Sequence, residues 1–357
     1  MALRSAPDKV VEFFPTYGYR ERSSREWVLP IHGWIYEPDR ISRMRRASLA
    51  IFRRYLRFKT RQALTPLFLD RARAFFAGNE RGQQVMVRIG EHVFPLGESG
   101  PNGHFRGVVR LPDAQVGELL ESPEVQNGWL SFSSVNLDIE ETEFTGRVQL
   151  IPEAGLSVIS DIDDTIKHSQ VHDRGELLAN TFLRDFQAVP SAADVYKAWS
   201  ALGACFHYVS ASPWQLFGPL AEFFRQEGFP DGTFHLRLWR LRDSRLFRRA
   251  NGRPKSKLEA IDAILRTFPQ RRFVLIGDSG EQDPELYGTV ARMHPSKVQL
   301  ILIRDVSGHD RESPRFLRAF EGVNPAQWAL FEDAETLRDR LISDPEAAPP
   351  PLPGPLT

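Results

Sequence analysis

The chain has 357 residues, a length that fits two domains or one large domain with an appendage. Lys+Arg and Asp+Glu each total 46, so the formal net charge is zero and global charge gives no reason to bind nucleic acid. Hydrophobic residues make up 41% and charged residues 26%, which excludes a disordered or fibrous chain, and the single cysteine, Cys205, excludes an intrachain disulfide or a Cys-based zinc site.

The opening MALRSAPDKVVEFF has no apolar run of the secretory type, and no stretch approaches ~18 consecutive apolar residues, so a cytoplasmic, non-spanning protein is expected. Residues 1–25 read as an irregular arm, and Trp27–Tyr36 as a strand-like piece broken by Pro30 and Gly33. From Arg40 to Arg61 nine Lys/Arg occur with no acid, and Ile41, Met44, Ile51, Phe52, Tyr55 and Leu56 form a stripe that predicts a basic helix. Short alternating runs follow at Val85–Ile89, His104–Leu111, Gly128–Val135 and Glu143–Ile151, the pattern of a small β-sandwich or barrel. Beyond Gly155 continuous apolar runs alternate with helical patterns. Strands are expected at Ser157–Asp161, Cys205–Ser212, His235–Trp239, Phe273–Ser279 and Val298–Asp305. Helices are expected near Val195–Leu202, Gln215–Glu227, Lys257–Phe268 and Asp283–Met293, which makes βαβ units around a parallel sheet. The domain plan is therefore an arm at 1–25, a β-rich sandwich-like accessory domain with a basic helix at 26–153, an α/β domain at 154–343, and a Pro-rich disordered tail at 344–357. The tail contains a PxxP-like stretch that would suit an SH3-type partner.

The chemistry concentrates in VISDIDDTIK. Asp161, Asp163 and Asp164 repel one another unless a cation or protons intervene, and oxygen-only ligation suits Mg²⁺. Such a carboxylate can attack phosphorus, and a second one two residues on can act as acid and then base. The same residues would also cap a helix. Later strand ends deliver Ser210, which alone reads as a turn residue before Pro213, and the GDSGEQD turn with Asp278 and Asp283. Lys257 opens a helix between them and alone reads as a surface lysine.

Taken in order, DxDxT, a strand-ending Ser, Lys, and GDxxxxD resemble the haloacid dehalogenase superfamily over residues 156–306. DIDDTIK, VSASPWQL, KLEAIDAILRTFP and FVLIGDSGEQDPELY resemble more closely the actin-patch-type phosphatidate phosphatase family. The resemblance implies a haloacid dehalogenase-like parallel sheet with helices on both faces, and a Mg²⁺-dependent hydrolase that turns phosphatidate into diacylglycerol and phosphate. It implies Asp161 as nucleophile and metal ligand, Asp163 as acid/base with its carbonyl on the metal, and Thr165 as support for the loop. It further implies Ser210, Ser212 and Lys257 at the phosphoryl group, and Asp278 with Asp283 at the metal. The family's His-Lys is here Ser256-Lys257, so Lys255 and Lys257 both stand as candidates.

Residues 237–257 hold nine Lys/Arg against one acid, with Trp239, Leu241, Leu246 and Phe247 interleaved. That composition suits an anionic phospholipid surface, and peripheral membrane association follows from it; a core strand with a solvated loop is the plainer account. Nucleic acid is not expected. Val171–Phe186 is short enough for a small helical cap only, and His168 and His172 lie close to the motif. Two alternatives stand beside the lipid phosphatase: a phosphatase of a soluble sugar phosphate or nucleotide, and a catalytically silent lipid- or protein-binding module.

Overall fold

A computed structural model describes residues 9–38, 65–135, 143–171, 173–238 and 253–340. The basic helix expected at 40–62, most of the basic segment at 237–257, His172 and the Pro-rich tail lie outside the described residues. The chain divides into two compact units, Met1–Pro152 and Glu153–Thr357.

In the first unit, β1 (Val10–Phe14) and β2 (Thr16–Glu21) both pair antiparallel with β3 (Glu26–Glu37). The irregular arm expected before residue 25 is thus corrected: its short apolar run packs as strand because β3 supplies a partner along its length, and Val11, Phe13 and Phe14 are buried. Nor do Pro30 and Gly33 break β3. Pro30 falls where the strand passes from β2, paired at Glu26–Val28, to β1, paired from His32 onward, and its carbonyl accepts the Thr16 hydroxyl at 2.6 Å. At Gly33 a Cβ would lie 2.3 Å from the Phe105 ring, so the absent side chain makes room for a core aromatic.

The next elements are α1 (Pro66–Phe76), β4 (Gly78–Asn79), β5 (Gln84–Ile89), β6 (His92–Glu98), β7 (His104–Pro112), α2 (Asp113–Leu120), β8 (Val125–Gln126), β9 (Trp129–Val135) and β10 (Thr145–Leu150). The strands form one ten-stranded sheet, in the order β1-β3-β2-β10-β9-β5-β6 with β4 and β7 on β3 and β8 on β9. Instead of two separate stacked sheets, this one is continuous through β2, which pairs with both β3 and β10. It curls so that Phe13 of β1 meets Phe105 of β7 and Phe132 of β9 edge-on, at 5.6 and 4.9 Å between ring centroids. Leu29, Ile35, Val87, Leu130 and Val148 fill the same core.

The second unit holds β11 (Ala154–Ser160), α3 (Arg174–Phe182), α4 (Ala192–Ala201), β12 (Cys205–Pro213), α5 (Phe217–Glu227), β13 (Gly232–Arg237) and α6 (Arg253–Thr267). It continues with β14 (Gln270–Asp278), α7 (Asp283–Met293), β15 (Val298–Arg304), α8 (Pro314–Ala319) and β16 (Trp328–Phe331). Its six strands are all parallel, in the order β13-β12-β11-β14-β15-β16. Consecutive residues such as Val158 and Ile159, Val274 and Leu275, or Ile301 and Leu302 are wholly buried, so both faces of the sheet are covered. β13 begins earlier than the sequence suggested, and β16 adds a short sixth strand.

This strand order fixes where chemistry belongs. From β11 the chain winds outward through β12 and β13, then returns to β14 on the other side of β11 and winds away through β15. The winding direction reverses between β11 and β14. At such a switch point the connections leave the carboxyl ends in opposite directions and open a crevice for ligand. Asp161 follows the last residue of β11, and Asp278 is the last residue of β14.

Candidate active site

Asp161 is held at the crevice by its backbone N–H, which donates to the Ile276 carbonyl of β14 at 2.9 Å. The chain then turns tightly. The N–H groups of Ile166 and Lys167 both donate to the Ile162 carbonyl, and that of Asp164 donates to the Lys167 carbonyl at 2.7 Å. Asp164 takes a left-handed conformation (φ 58°) that an Asp tolerates better than most residues. Its carboxylate accepts the N–H groups of Ser169, Gln170 and Val171 at 2.7–2.8 Å. Of the three clustered acids, then, this one clasps the loop and leaves the other two to face the crevice.

The Asp161 carboxylate is 1% exposed. Lys257 donates to its Oδ1 at 2.8 Å and to Asp283 Oδ1 at 2.6 Å, while Thr165 donates to its Oδ2 at 3.2 Å. Lys257 rises from α6, buried, whereas Lys255 is exposed and lies 3.9 Å from Glu259. Geometry therefore brings Lys257, not Lys255, to the acids. Burial opposes the Lys257 charge, but Asp161 and Asp283 outweigh it and hold the ammonium well above its usual range. Burial pushes Asp161 well above the ordinary carboxylate range; Lys257 opposes this, and Asp283 and Glu281 reinforce it.

Asp278 is wholly buried. Its Oδ1 accepts the N–H groups of Gly280 and Glu281 at 2.6 and 3.1 Å, and its Oδ2 is buried with no hydrogen-bond partner. Burial, then Asp283 and Asp161, push its carboxyl far up. Asp283 opens α7 and lies against Gly277, where a Cβ would come within 2.2 Å of its Oδ2. Asp161, Asp278 and Asp283 each offer an oxygen within 4.8 Å of the others. Three buried acids share one ammonium and leave an orphaned oxygen, and hard oxygen donors of this kind suit Mg²⁺.

Asp163 faces a different environment. Its Oδ1 takes Lys167 Nζ at 2.8 Å and the Ser169 hydroxyl at 2.7 Å; its Oδ2 takes the hydroxyls of Ser210 and Ser212 at 3.1 and 2.8 Å. Burial would raise this carboxyl, but the Lys167 charge and the hydrogen bonds from Lys167, Ser169 and Ser212 hold it below the ordinary range. Its carboxylate stands outside the three-acid group.

The structure thus gathers Asp161, Asp163, Thr165, Ser210, Ser212, Lys257, Asp278 and Asp283 at one sheet edge. His168 is half-buried with its N–H on the Gln187 carbonyl, and burial lowers its imidazole. Sequence reasoning missed four supporting residues. Lys167 and Ser169 hold Asp163. Arg304 donates to the Asp164 carbonyl at 2.8 Å, and Arg315 clasps the Asp278 turn through the carbonyls of Ser279 and Glu281 and the Glu285 carboxylate. The Asp163–Lys167 spacing is visible in the sequence, but it becomes a pair only through the turn that Asp164 closes.

The family match to known proteins falls within the second unit. Residues 156–305 match the family model described as the catalytic domain of phosphatidate phosphatase APP1. An uncharacterized protein of Schizosaccharomyces pombe, C29B5.04c, is 34% identical over 167 residues, covering 46% of this chain and 27% of that protein. Phosphatidate phosphatase APP1 of Saccharomyces cerevisiae is 33% identical over 201 residues, covering 50% of this chain and 33% of that protein. The chain therefore spans about a third of the curated relatives it matches. A crystal structure of a β-phosphoglucomutase from Thermotoga maritima matches at 11% identity over 52% of this chain and 98% of that one, with a TM-score of 0.33. Residues 156–305 thus resemble the catalytic domain of phosphatidate phosphatase APP1.

Proposed function

We propose that the second unit is a haloacid dehalogenase-like, Mg²⁺-dependent phosphomonoester hydrolase that acts on phosphatidate through an aspartyl-phosphate. The observation that carries this reading is the convergence of Asp161, Asp278 and Asp283 on one another around Lys257 at the switch point of the sheet. The substrate rests on the family match and on the printed activity of the yeast relative.

Asp161, Asp278 and Asp283 would hold the cation, which when bound offsets phosphoryl charge. Lys257 supplies a second positive charge beside Asp161, so a phosphomonoester dianion can approach the carboxylate. An Asp161 oxygen attacks phosphorus and the P–O ester bond breaks. Asp163, protonated from solvent against the pull of Lys167, gives that proton to the departing alkoxide. Asp163, now a carboxylate, takes a proton from water. The water oxygen attacks phosphorus, the acyl-phosphate bond breaks, and inorganic phosphate leaves with Asp161 restored. Ser210 and Ser212, whose hydroxyls donate to Asp163, would turn to donate to phosphoryl oxygens when substrate is bound. An anionic phospholipid surface is the partner we assign to the basic, aromatic-bearing sequence at 237–257. No helix among the described residues is long and apolar enough to cross a membrane, so substrate held in a bilayer would be met at its surface.

The test is phosphate release from phosphatidate in mixed micelles, with Mg²⁺ and with chelator, beside p-nitrophenyl phosphate and a panel of soluble phosphomonoesters. Mg²⁺-dependent release that favours phosphatidate supports the whole reading. Turnover of soluble esters alone keeps the residues and discards the lipid. Silence on every ester, with salt-dependent binding to anionic vesicles, would replace the enzyme by a binding module.

A further inference from the structure

Lys167 is 2% exposed, and its ammonium sits beside Asp163 rather than in solvent. Burying a lysine is costly, and a buried ion pair seldom adds net stability over apolar residues of like volume. Stability alone is thus a weak reason for this pair. What the pair does is geometric. Lys167 Nζ lies 2.8 Å from Asp163 Oδ1 and also hydrogen-bonds the Ser169 hydroxyl, which itself donates to the same Oδ1. The ammonium lies 4.7 Å from the centroid of the Phe186 ring. Its backbone is pinned to Ile162 and Asp164 within the turn and bridged to Ala188. One oxygen of Asp163 is therefore fixed from behind, and the other is presented to Ser210 and Ser212 at the ends of the next strand.

We propose that Lys167 is a positioning residue: it locks the Asp163 carboxylate in the orientation from which Asp163 exchanges protons with the leaving group and with water. This rests on the reading of Asp163 given above. A group displaced by about 1 Å can lose about 10²-fold in rate without any change in substrate affinity. Lys167 touches no reacting atom, so all of its effect must pass through Asp163.

The experiment is a double-mutant cycle in the full chain, with Lys167→Met, Asp163→Asn and the pair, assayed on phosphatidate micelles and on p-nitrophenyl phosphate. The second ester departs without needing a proton and keeps the Asp163→Asn background measurable. Lys167→Met is expected to lower kcat by roughly 10- to 100-fold with KM within about 3-fold. Added to Asp163→Asn it should change kcat by less than about 3-fold, because the residue it acts through is already disabled. Lys167→Arg, which keeps charge and a donor, should recover part of the lost kcat. Should Lys167→Met fail to fold, the pair, which buries no unmatched charge, still reads the coupling against Asp163→Asn, and Lys167→Arg against wild type. Additive losses, a KM change with kcat intact, or a wild-type kcat in Lys167→Met each overturn the proposal while wild-type turnover preserves the enzyme assignment. Wild-type silence on every ester overturns both.

Discussion

Two groups of buried titratable side chains, one in each unit, are treated in opposite ways. On one face of β1, β3 and β7, His32 and His104 meet at 3.1 Å, and Phe14 and Trp34 stack on the His104 ring at 5.9 and 5.8 Å. Burial, with a smaller push from Arg106, lowers His104 to about 4, so the imidazole is neutral over the physiological range. At the carboxyl edge of the parallel sheet, Asp161, Asp278 and Asp283 crowd around one lysine, and Asp278 keeps an unpartnered oxygen. Where a buried group only packs, the fold makes it neutral and surrounds it with rings. Where acids are crowded around one ammonium out of water, at a cost of several kcal/mol per ion before pairing, chemistry is the better explanation.

That contrast breaks first at Asp161. Asp161→Asn keeps the shape and removes the proposed nucleophile, so turnover should fall on the order of 10³-fold or more with the melting transition intact. Phosphate release measured beside a thermal melt checks it, and wild-type-like turnover would falsify the assignment of the acid edge as catalytic. Next comes the choice of lysine. Lys257→Met should cost about 10²-fold or more, since one buried cation faces two carboxylates. Lys255→Met should stay within about 2-fold, because its exposed pair with Glu259 contributes little. Equal losses in the two variants would erase the distinction.

A smaller effect is expected at Gly277. An added methyl would meet the Asp283 carboxylate at 2.2 Å and displace it from Lys257. Gly277→Ala should cost about 1–3 kcal/mol, the usual range for overpacking, with a drop of roughly tenfold in turnover. A melting shift with unchanged kcat would show that the position of Asp283 does not matter to catalysis.

How much of this was legible in the sequence follows the same divide. Strands buried on both faces read as continuous apolar runs, so Ser157–Asp161, Cys205–Ser212 and Phe273–Ser279 lie within a residue or a few of β11, β12 and β14. The edge strand β16 has four residues and gives no such run. In the first unit β1 and β2 were missed because their partner, β3, is what makes strands of them, and β6 alternates too weakly to stand out. Helix α1 left a usable signal, a capping Thr65 whose hydroxyl accepts the Phe68 N–H, followed by Pro66 at the first helical position. In the site, the residue types that chemistry demands were legible. Asp164 as the loop clasp and Lys167 as the partner of Asp163 depend on a left-handed turn, and the roles of Arg304 and Arg315 depend on contacts distant in sequence that no spacing encodes.

The smallest effect probes the neutral side of the contrast. His104 has an ordinary value of 6.5 and sits near 4 in the folded chain. Above pH 6.5 both folded and unfolded states carry it neutral, so it contributes no pH dependence there. As pH falls from 6.5 towards 4 the unfolded state gains a proton that the native state refuses, and stability is lost across that window, by about 3 kcal/mol at most. Below the folded value both states are charged and the loss levels off. His104→Gln keeps a polar side chain beside His32 without a titrating group, so its melting temperature should fall less between pH 7 and pH 4.5 than that of wild type. Melting curves of the two chains across that range decide the matter. Equal slopes would mean that the imidazole already carries its proton within the aromatic stack, and that this group, like the acid edge, tolerates buried charge.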